Sequence, residues 1–243
     1  MLAVQNLSRY FGDFLAVNGL NFTIEKGKIL GFLGPNGSGK TTTMRMLSGF
    51  MPPSSGRILI DGMDVQENDL ETKKKIGYLP ETPPLYLDMR VDEYLTYVAH
   101  LKGVDKSLIP ERLRHVKEKC GLSGVRHMLL RSLSKGFRQR VGIAQSVINN
   151  PAFLILDEPT VGLDPKQISE IRNLIKSLAG EMTVILSTHI LPEVTLICDD
   201  ILIVHRGRIM FQESLRNIPG EDLERLFLKY TYEADEARPA ASP

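Results

Sequence analysis

Two short stretches bring together groups that could work on a phosphate ester. The first is "GPNGSGKTT", Gly34 to Thr42, directly after the apolar run "ILGFL". It fits the pattern G-x-x-x-x-G-K-[ST] of the P-loop. Gly34, Gly37 and Gly39 alternate with Pro35, Asn36 and Ser38, so backbone N–H groups can converge on phosphate oxygens with few side chains in the way. A helix that starts here adds the positive end of its dipole. Lys40 would reach the outer phosphates of a nucleotide, and the hydroxyl of Thr41, next to Thr42, would ligate magnesium. The alternative is an accidental glycine-rich turn. At ordinary residue frequencies such a match arises about once in 30,000 positions, and a chain of 243 residues offers too few.

The second stretch is "FLILDEP", an apolar run closed by Asp157 and Glu158. Ligands of open parallel sheets collect beyond the carboxyl ends of the strands, where the glycine loop also lies. Asp157 is placed to hold magnesium, directly or through water. Glu158 is then free to take the proton of an attacking water, or to orient it. The bland reading, a polar strand end before a turn, loses ground once the P-loop is present. His189 ends the next apolar run, "VILSTH", on the same edge. Its place suits a polar contact near the γ-phosphate; Glu158, ionised without tuning, is the better base.

A third stretch, "LSKGFRQR", opens a helix oddly. Ser134 is a natural N-cap, which would leave the N–H groups of Lys135, Gly136 and Phe137 unpaired. That end binds anions. One nucleotide needs only one such nest, so the second is surplus unless it covers a nucleotide held by another copy.

These residues must be positioned by elements the sequence also marks. "KILGFLG", "KIGYLPE", "AFLILDE" and "MTVILSTH" read as buried strands. Between the last two, Ile168, Ile171, Leu174, Ile175 and Leu178 line one helix face, which Gly180 ends. Strand, helix, strand implies a parallel sheet. The first 30 residues and "GRILIDG" suggest an N-terminal antiparallel β layer, and residues from about 88 to 150 a helical subdomain inserted into the sheet order. "DDILIVHRGRIMFQES" predicts a hairpin turning at Arg206-Gly207. The expected class is α/β: a P-loop NTPase over 1–220, then in 221–243 a short helix and a disordered end, "EARPAASP".

Composition excludes several classes. A net charge of +1, with 24% charged residues, lacks the basic footprint of a nucleic-acid binder. Lys73 to Lys75 is a solvated face. Cys120 and Cys198 sit in no metal or redox spacing and read as buried thiols of a reducing compartment. No leader pattern and no bilayer-length apolar run is present, which predicts a cytosolic protein or one held at a membrane by something else.

In their order, "GPNGSGKTT", "LSKGFRQR", "FLILDEP", "GLD" and "STH" make residues 1 to 220 resemble the ATP-binding subunits of ABC transporters. The resemblance implies ATP and Mg2+ as cofactors, and an aromatic stacked on adenine: Phe11, rather than Tyr10. It implies that Ser134 and Gly136 face the γ-phosphate of the partner's nucleotide and that Asp164 lies at the subunit interface. In the family the signature is usually Leu-Ser-Gly-Gly-Gln; here Lys135 and Phe137 depart from it. Glu81 stands where most members carry a glutamine that touches magnesium. The implied partners are a second ATPase subunit and transmembrane permease subunits, with the chain peripheral on the inner face of the cell membrane. "YLPE", "LSKGFRQR" and "VGLDP" look like the exporter branch of drug-efflux, gliding-motility and nitrous-oxide-accessory relatives. Two rivals remain. A soluble ABC-type ATPase acting on nucleic acid or ribosomes would need a long coiled coil or a second ATPase domain, and neither pattern is present. A P-loop kinase would leave the signature helix unexplained.

Overall fold

The computed structural model describes residues 1–218 and 222–233. Its N-terminal layer is antiparallel, as expected from the strand-rich start of the chain. Strands β1 (Leu2–Phe11) and β2 (Phe14–Ile24) form a hairpin that closes at the Phe11–Phe14 pair. On its other side β1 pairs with β4 (Ser55–Ile60), which turns at Asp61 and Gly62 into the two-residue β5 (Met63–Asp64). Both turn residues have positive φ, the geometry that matches strand twist in a tight hairpin.

The second sheet carries the site. It comprises β3 (Ile29–Leu33), β6 (Ile76–Leu79), β7 (Phe153–Asp157), β8 (Thr183–Thr188), β9 (Asp200–His205) and β10 (Arg208–Ser214). The order is β10-β9-β3-β8-β7-β6. All neighbours are parallel except β10, which folds back on β9 through Arg206 and Gly207. β3, β7 and β8 are buried along their whole length. Unbroken apolar runs belong in strands covered on both faces, and both faces are covered here.

Helix α1 (Lys40–Leu47) follows β3, and the short α2 (Asp69–Lys74) precedes β6. Between β6 and β7 stand α3 (Val91–Leu101), α4 (Ile109–Lys119) and α5 (Lys135–Val147), within the segment expected to be helical. α6 (Pro165–Leu178) joins β7 to β8, and α7 (Leu191–Ile197) joins β8 to β9. On α6, Ile171, Leu174, Ile175 and Leu178 are buried while Ile168 is only half-buried. The sequence pattern did not anticipate α2 and α7, because six or seven residues show less than two helical turns of periodicity.

One core cluster joins Leu79, Leu154 and Leu156 of the sheet to Val91, Leu95 and Val141 of the helical segment. That segment therefore shares the sheet's core instead of forming its own. A second cluster fills the space between the two sheets, with Leu2, Leu20, Phe32, Met44 and Ile155 among its members. A third holds α8 (Asp222–Leu228) on the β9 side, where Leu223 and Phe227 meet Leu33, Val194 and Ile203. The expected disordered end lies outside the described residues. Cys120 is buried and Cys198 half-buried, and neither is bonded to another cysteine. Burial pushes the Cys120 thiol up to about 12 and raises that of Cys198 as well, so neither is a ready nucleophile.

Lys102, at the end of α3, donates to the Ser146 carbonyl and to Asn149 Oδ1, both at 3.1 Å. Among the described residues no carboxylate pairs with it, and burial lowers its ammonium to about 8 from the ordinary 10.5. Between those values the unfolded chain keeps a Lys102 proton that the folded one has lost, so this group's own contribution to stability rises with pH. The Cys120 and Cys198 thiols, raised by burial from an ordinary 9.0, and the Tyr78 hydroxyl, raised from 10.0 to about 12, act in the opposite sense at the upper end of that range. Lys102→Met removes only the rising contribution, of order 1–2 kcal/mol, so in urea titrations the variant's stability should fall more steeply with pH from about 8 to 10 than that of the wild type. Equal slopes in the two proteins would overturn the role given to Lys102.

Candidate functional site

The site is built where β3 hands over to α1. A Cβ on Gly34 would overlap both Ser38 Oγ and the Val204 carbonyl, so only glycine lets the loop pass. Gly37 and Gly39 take φ of +77° and +99°, values side chains rarely tolerate. A Cβ on Gly39 would stand 2.7 Å from the Ala16 carbonyl of β2. Gly207 in the β9–β10 turn crowds the same carbonyl, donates its N–H to the Ser38 carbonyl at 2.9 Å and accepts the Asn18 N–H at 2.8 Å. The glycine loop is thus clamped between β2 and the β9–β10 turn. α1 starts with no side chain capping its first N–H groups and no acidic residue in its first turn. Those donors are left for an anion.

Lys40 is 6% exposed. Its Nζ donates to the carbonyls of Gly34 (2.8 Å) and Pro35 (3.2 Å) and lies 3.3 Å from Glu158 Oε1. The other oxygen of Glu158 is 3.0 Å from His189 Nδ1. Glu158 itself has φ of +48°, a left-handed conformation that costs of order 1–3 kcal/mol in a residue with a side chain. Its N–H is held by the Ser187 carbonyl at 3.1 Å and the Ser187 hydroxyl at 3.2 Å.

Ser187 also donates to Asp157 Oδ1 at 2.5 Å, so a single hydroxyl ties the two acidic residues together. Thr41 Oγ1 approaches the same oxygen at 3.4 Å. Asp157 Oδ2 is buried with no hydrogen-bond partner. Burial pushes the Asp157 carboxyl up, against the Ser187 and Thr41 bonds that pull it down. An orphaned carboxylate oxygen beside a threonine hydroxyl is a donor set that fits a hard divalent cation, which takes oxygen ligands and keeps several waters. Among the described residues no three acidic, histidine or cysteine side chains are arranged so that they could hold a metal ion by themselves. Such an ion would therefore need phosphate and water oxygens to complete its shell.

Lys40, Thr41, Glu158 and His189 open on a cavity of about 360 Å³ that is also lined by Asn36, Gly37, Gly39, Thr42, Glu81 and Val161, with Phe14 and Ala16 at one side; Asp157 and Ser187 are fully buried and do not line it. Gly34, Pro35 and Ser38 lie behind the lining and support it. Phe11 is not among the lining residues; the Arg9 guanidinium sits 5.0 Å from its ring centre. Its cross-strand neighbour Phe14, 65% exposed, is the aromatic at the cavity. Glu81 lines both this cavity and a neighbouring groove of about 410 Å³ that includes Lys135 and Arg138.

Ser134, Gly136 and Asp164 line a different cavity, of about 330 Å³. Ser134 caps α5, but it accepts the Phe137 N–H itself, at 3.4 Å. That corrects the expectation of three open N–H groups: Phe137 is already engaged. Asp164 caps α6 by accepting the Gln167 N–H at 2.9 Å, and a Cβ on Gly136 would press on the Gln167 side chain at 2.8 Å. Lys135 is exposed, with its Nζ close to Gly162, where an added Cβ would meet it. Ser187 and Phe14 were missed in the sequence. The signal for Ser187 was a hydroxyl pair ending an otherwise apolar strand; Phe14 had none beyond its closeness to Phe11.

A family model described as ABC transporter matches residues 17–161. The lantibiotic transport ATP-binding protein SrtF of Streptococcus pyogenes is 40% identical over 228 residues, covering 93% of this chain and 96% of that protein. The bacitracin transport ATP-binding protein BcrA of Bacillus licheniformis is 38% identical, covering 95% of this chain and 73% of its own length. Among solved structures, the ATP-binding cassette MJ0796, a dimer bound to ADP and Pi in a post-hydrolysis state, superposes with a TM-score of 0.80. It is 25% identical and covers 90% of this chain and 100% of that one.

Lys40→Ala strips Glu158 of its cation, and breaking a buried pair in this way costs about 3 kcal/mol or more. Denaturant unfolding without nucleotide should show that loss, and Lys40→Ala with Glu158→Gln should recover part of it. Titration calorimetry should show nucleotide affinity lost in both variants. A single variant with unchanged stability and affinity would contradict the role given to Lys40.

Proposed function

This chain belongs to the ABC transporter family as an ATP-binding and ATP-hydrolysing subunit, and from that premise we propose that two such subunits meet head to tail, each completing the other's site. The observation that carries the reading is the separation of two anion-binding helix starts. Lys40 to Thr42 line one cavity, while Ser134 and Gly136 line another. A phosphate chain in the first is beyond the second of the same subunit, so the second faces a nucleotide held elsewhere.

Within one site the roles are as follows. The N–H groups from Asn36 to Thr42 hold the phosphates, and Lys40 exchanges Glu158 for γ-phosphate oxygens. Thr41 and Asp157, with Glu81 across the cavity, hold Mg2+, which when bound draws charge off the β- and γ-phosphates. Released from Lys40, Glu158 takes a proton from the attacking water, and His189 keeps its second oxygen oriented. Phe11 and Phe14 offer the base an aromatic face, and Asp164 sets the approach of the partner's phosphate loop. Residues 1–220 act as one ATPase domain, with the helical segment at 88–150 meeting the membrane-spanning partners.

Among the described residues no helix is long and apolar enough to cross a membrane. The transport path belongs to permease subunits, and this chain works on the cytoplasmic face of the membrane through them. Export is the direction favoured by the sequence features "YLPE", "LSKGFRQR" and "VGLDP", and relatives named for lantibiotic and bacitracin transport support that direction. ATP closes the pair, and loss of the γ-phosphate bridge lets it reopen.

Glu158→Gln should bind ATP, hydrolyse it at least a hundredfold more slowly and accumulate as closed dimers; normal turnover would remove Glu158 from its role. Ser134→Arg should leave ATP binding to the monomer intact and block closure. Sedimentation with ATP decides this, and a dimer formed by Ser134→Arg would defeat the two-subunit site.

A further inference from the structure

Glu158 and His189 sit at the ends of neighbouring strands, β7 and β8, and their contact needs the two strand ends held in register. Behind them lies a carboxyl with no part in the scheme above. Glu193, in the first turn of α7, is 2% exposed. Its Oε2 accepts from Thr188 Oγ1 at 3.1 Å, and the same hydroxyl accepts the Ile190 N–H at 3.0 Å. Thr188 therefore pins the residues on both sides of His189. The other carboxyl oxygen, Oε1, is buried without a partner, as is the hydroxyl of Thr160, in the turn just past Glu158. Thr160 is nonetheless among the groups that act on the Glu193 carboxyl. Two buried polar atoms without other partners, one on each side of the gap between the strand ends, need only a small side-chain adjustment to join Thr160, Glu193 and Thr188 in one chain.

We propose that Glu193 is a positioning residue for hydrolysis, clamping the turn after Glu158 to the loop that carries His189. The proposal rests on Glu158 as the hydrolytic carboxylate. Without the clamp, the Glu158–His189 pair depends on the Ser187 bonds and on the Lys40 contact, and Glu158 occupies a strained conformation that relaxes when support is lost. No lysine or arginine pairs with Glu193 among the described residues. Burial raises its carboxyl, and the contact it makes is a hydrogen bond from a threonine hydroxyl. A neutral amide, which both donates and accepts, can make the same bridge, because a threonine hydroxyl can answer either way.

The test is steady-state ATP hydrolysis by the full chain with its partner subunits. Glu193→Leu fills the space but bonds to nothing; kcat should fall about tenfold or more, with the KM for ATP within twofold. Glu193→Gln should recover most of that loss. Thr160→Val, which removes a hydroxyl and opens no cavity, should lower kcat in the same sense. Wild-type turnover in Glu193→Leu overturns the clamp, as does Glu193→Gln falling as low as Glu193→Leu. Equal damage to kcat and KM also overturns it, since that marks a general structural role. If Glu193→Leu does not fold, Thr160→Val and Glu193→Gln decide, and wild-type turnover in Thr160→Val overturns the proposal. Glu158→Gln measured alongside separates the two ideas. If it remains active, the assignment of Glu158 fails; if it is inactive while Glu193→Leu is normal, only the clamp fails.

Discussion

An ammonium group buried at the foot of a glycine loop has to be surrounded by oxygen, and much of this structure follows from how that is done. Lys40 is enclosed by two carbonyls of its own loop and by one oxygen of Glu158. A buried charge without such partners would cost several kcal/mol. The carbonyls are in place only because Gly34 lets the loop fold beneath its own helix. The carboxylate is in place only because β7 ends beside β3's neighbour β8. In the scheme proposed above the pair also holds the first step in waiting: a phosphate arriving at Lys40 would displace Glu158 and set free the residue assigned to act on water.

The acidic pair is arranged around a division of labour set by environment. Asp157 is fully buried and its carboxyl is pushed up; one oxygen is held by Ser187 while the other has no partner. Glu158 is turned the other way by its left-handed backbone and shares its oxygens between Lys40 and His189. Neighbours in sequence thus face different chemistry. Ser187, reaching both, keeps them in fixed relation.

Much of this could be read from residues alone, for identifiable reasons. "ILGFL", "FLILD" and "TVILST" are unbroken apolar runs, and only strands covered on both faces bury them. The glycine loop declares itself because its spacing answers a backbone requirement. The acidic pair and His189 could be placed because strand ends on one edge share a site. What stayed hidden depends on contacts between distant segments. Phe14 lines the cavity, a placement that the close of the hairpin beside Phe11 decides and the pattern around Phe11 does not reveal. Lys135 lies on Gly162, a contact no spacing reveals. Ser187, Thr160 and Glu193 are ordinary residues in sequence, and only the folded arrangement links them.

The crowding at the Ala16 carbonyl has a consequence of its own. A Cβ on either Gly39 of the phosphate loop or Gly207 of the β9–β10 turn would run into that one oxygen. The β1–β2 hairpin bearing Phe14 and the loop bearing Lys40 therefore meet through main chain, and the span between them is set without any side chain that a substitution could lengthen or shorten.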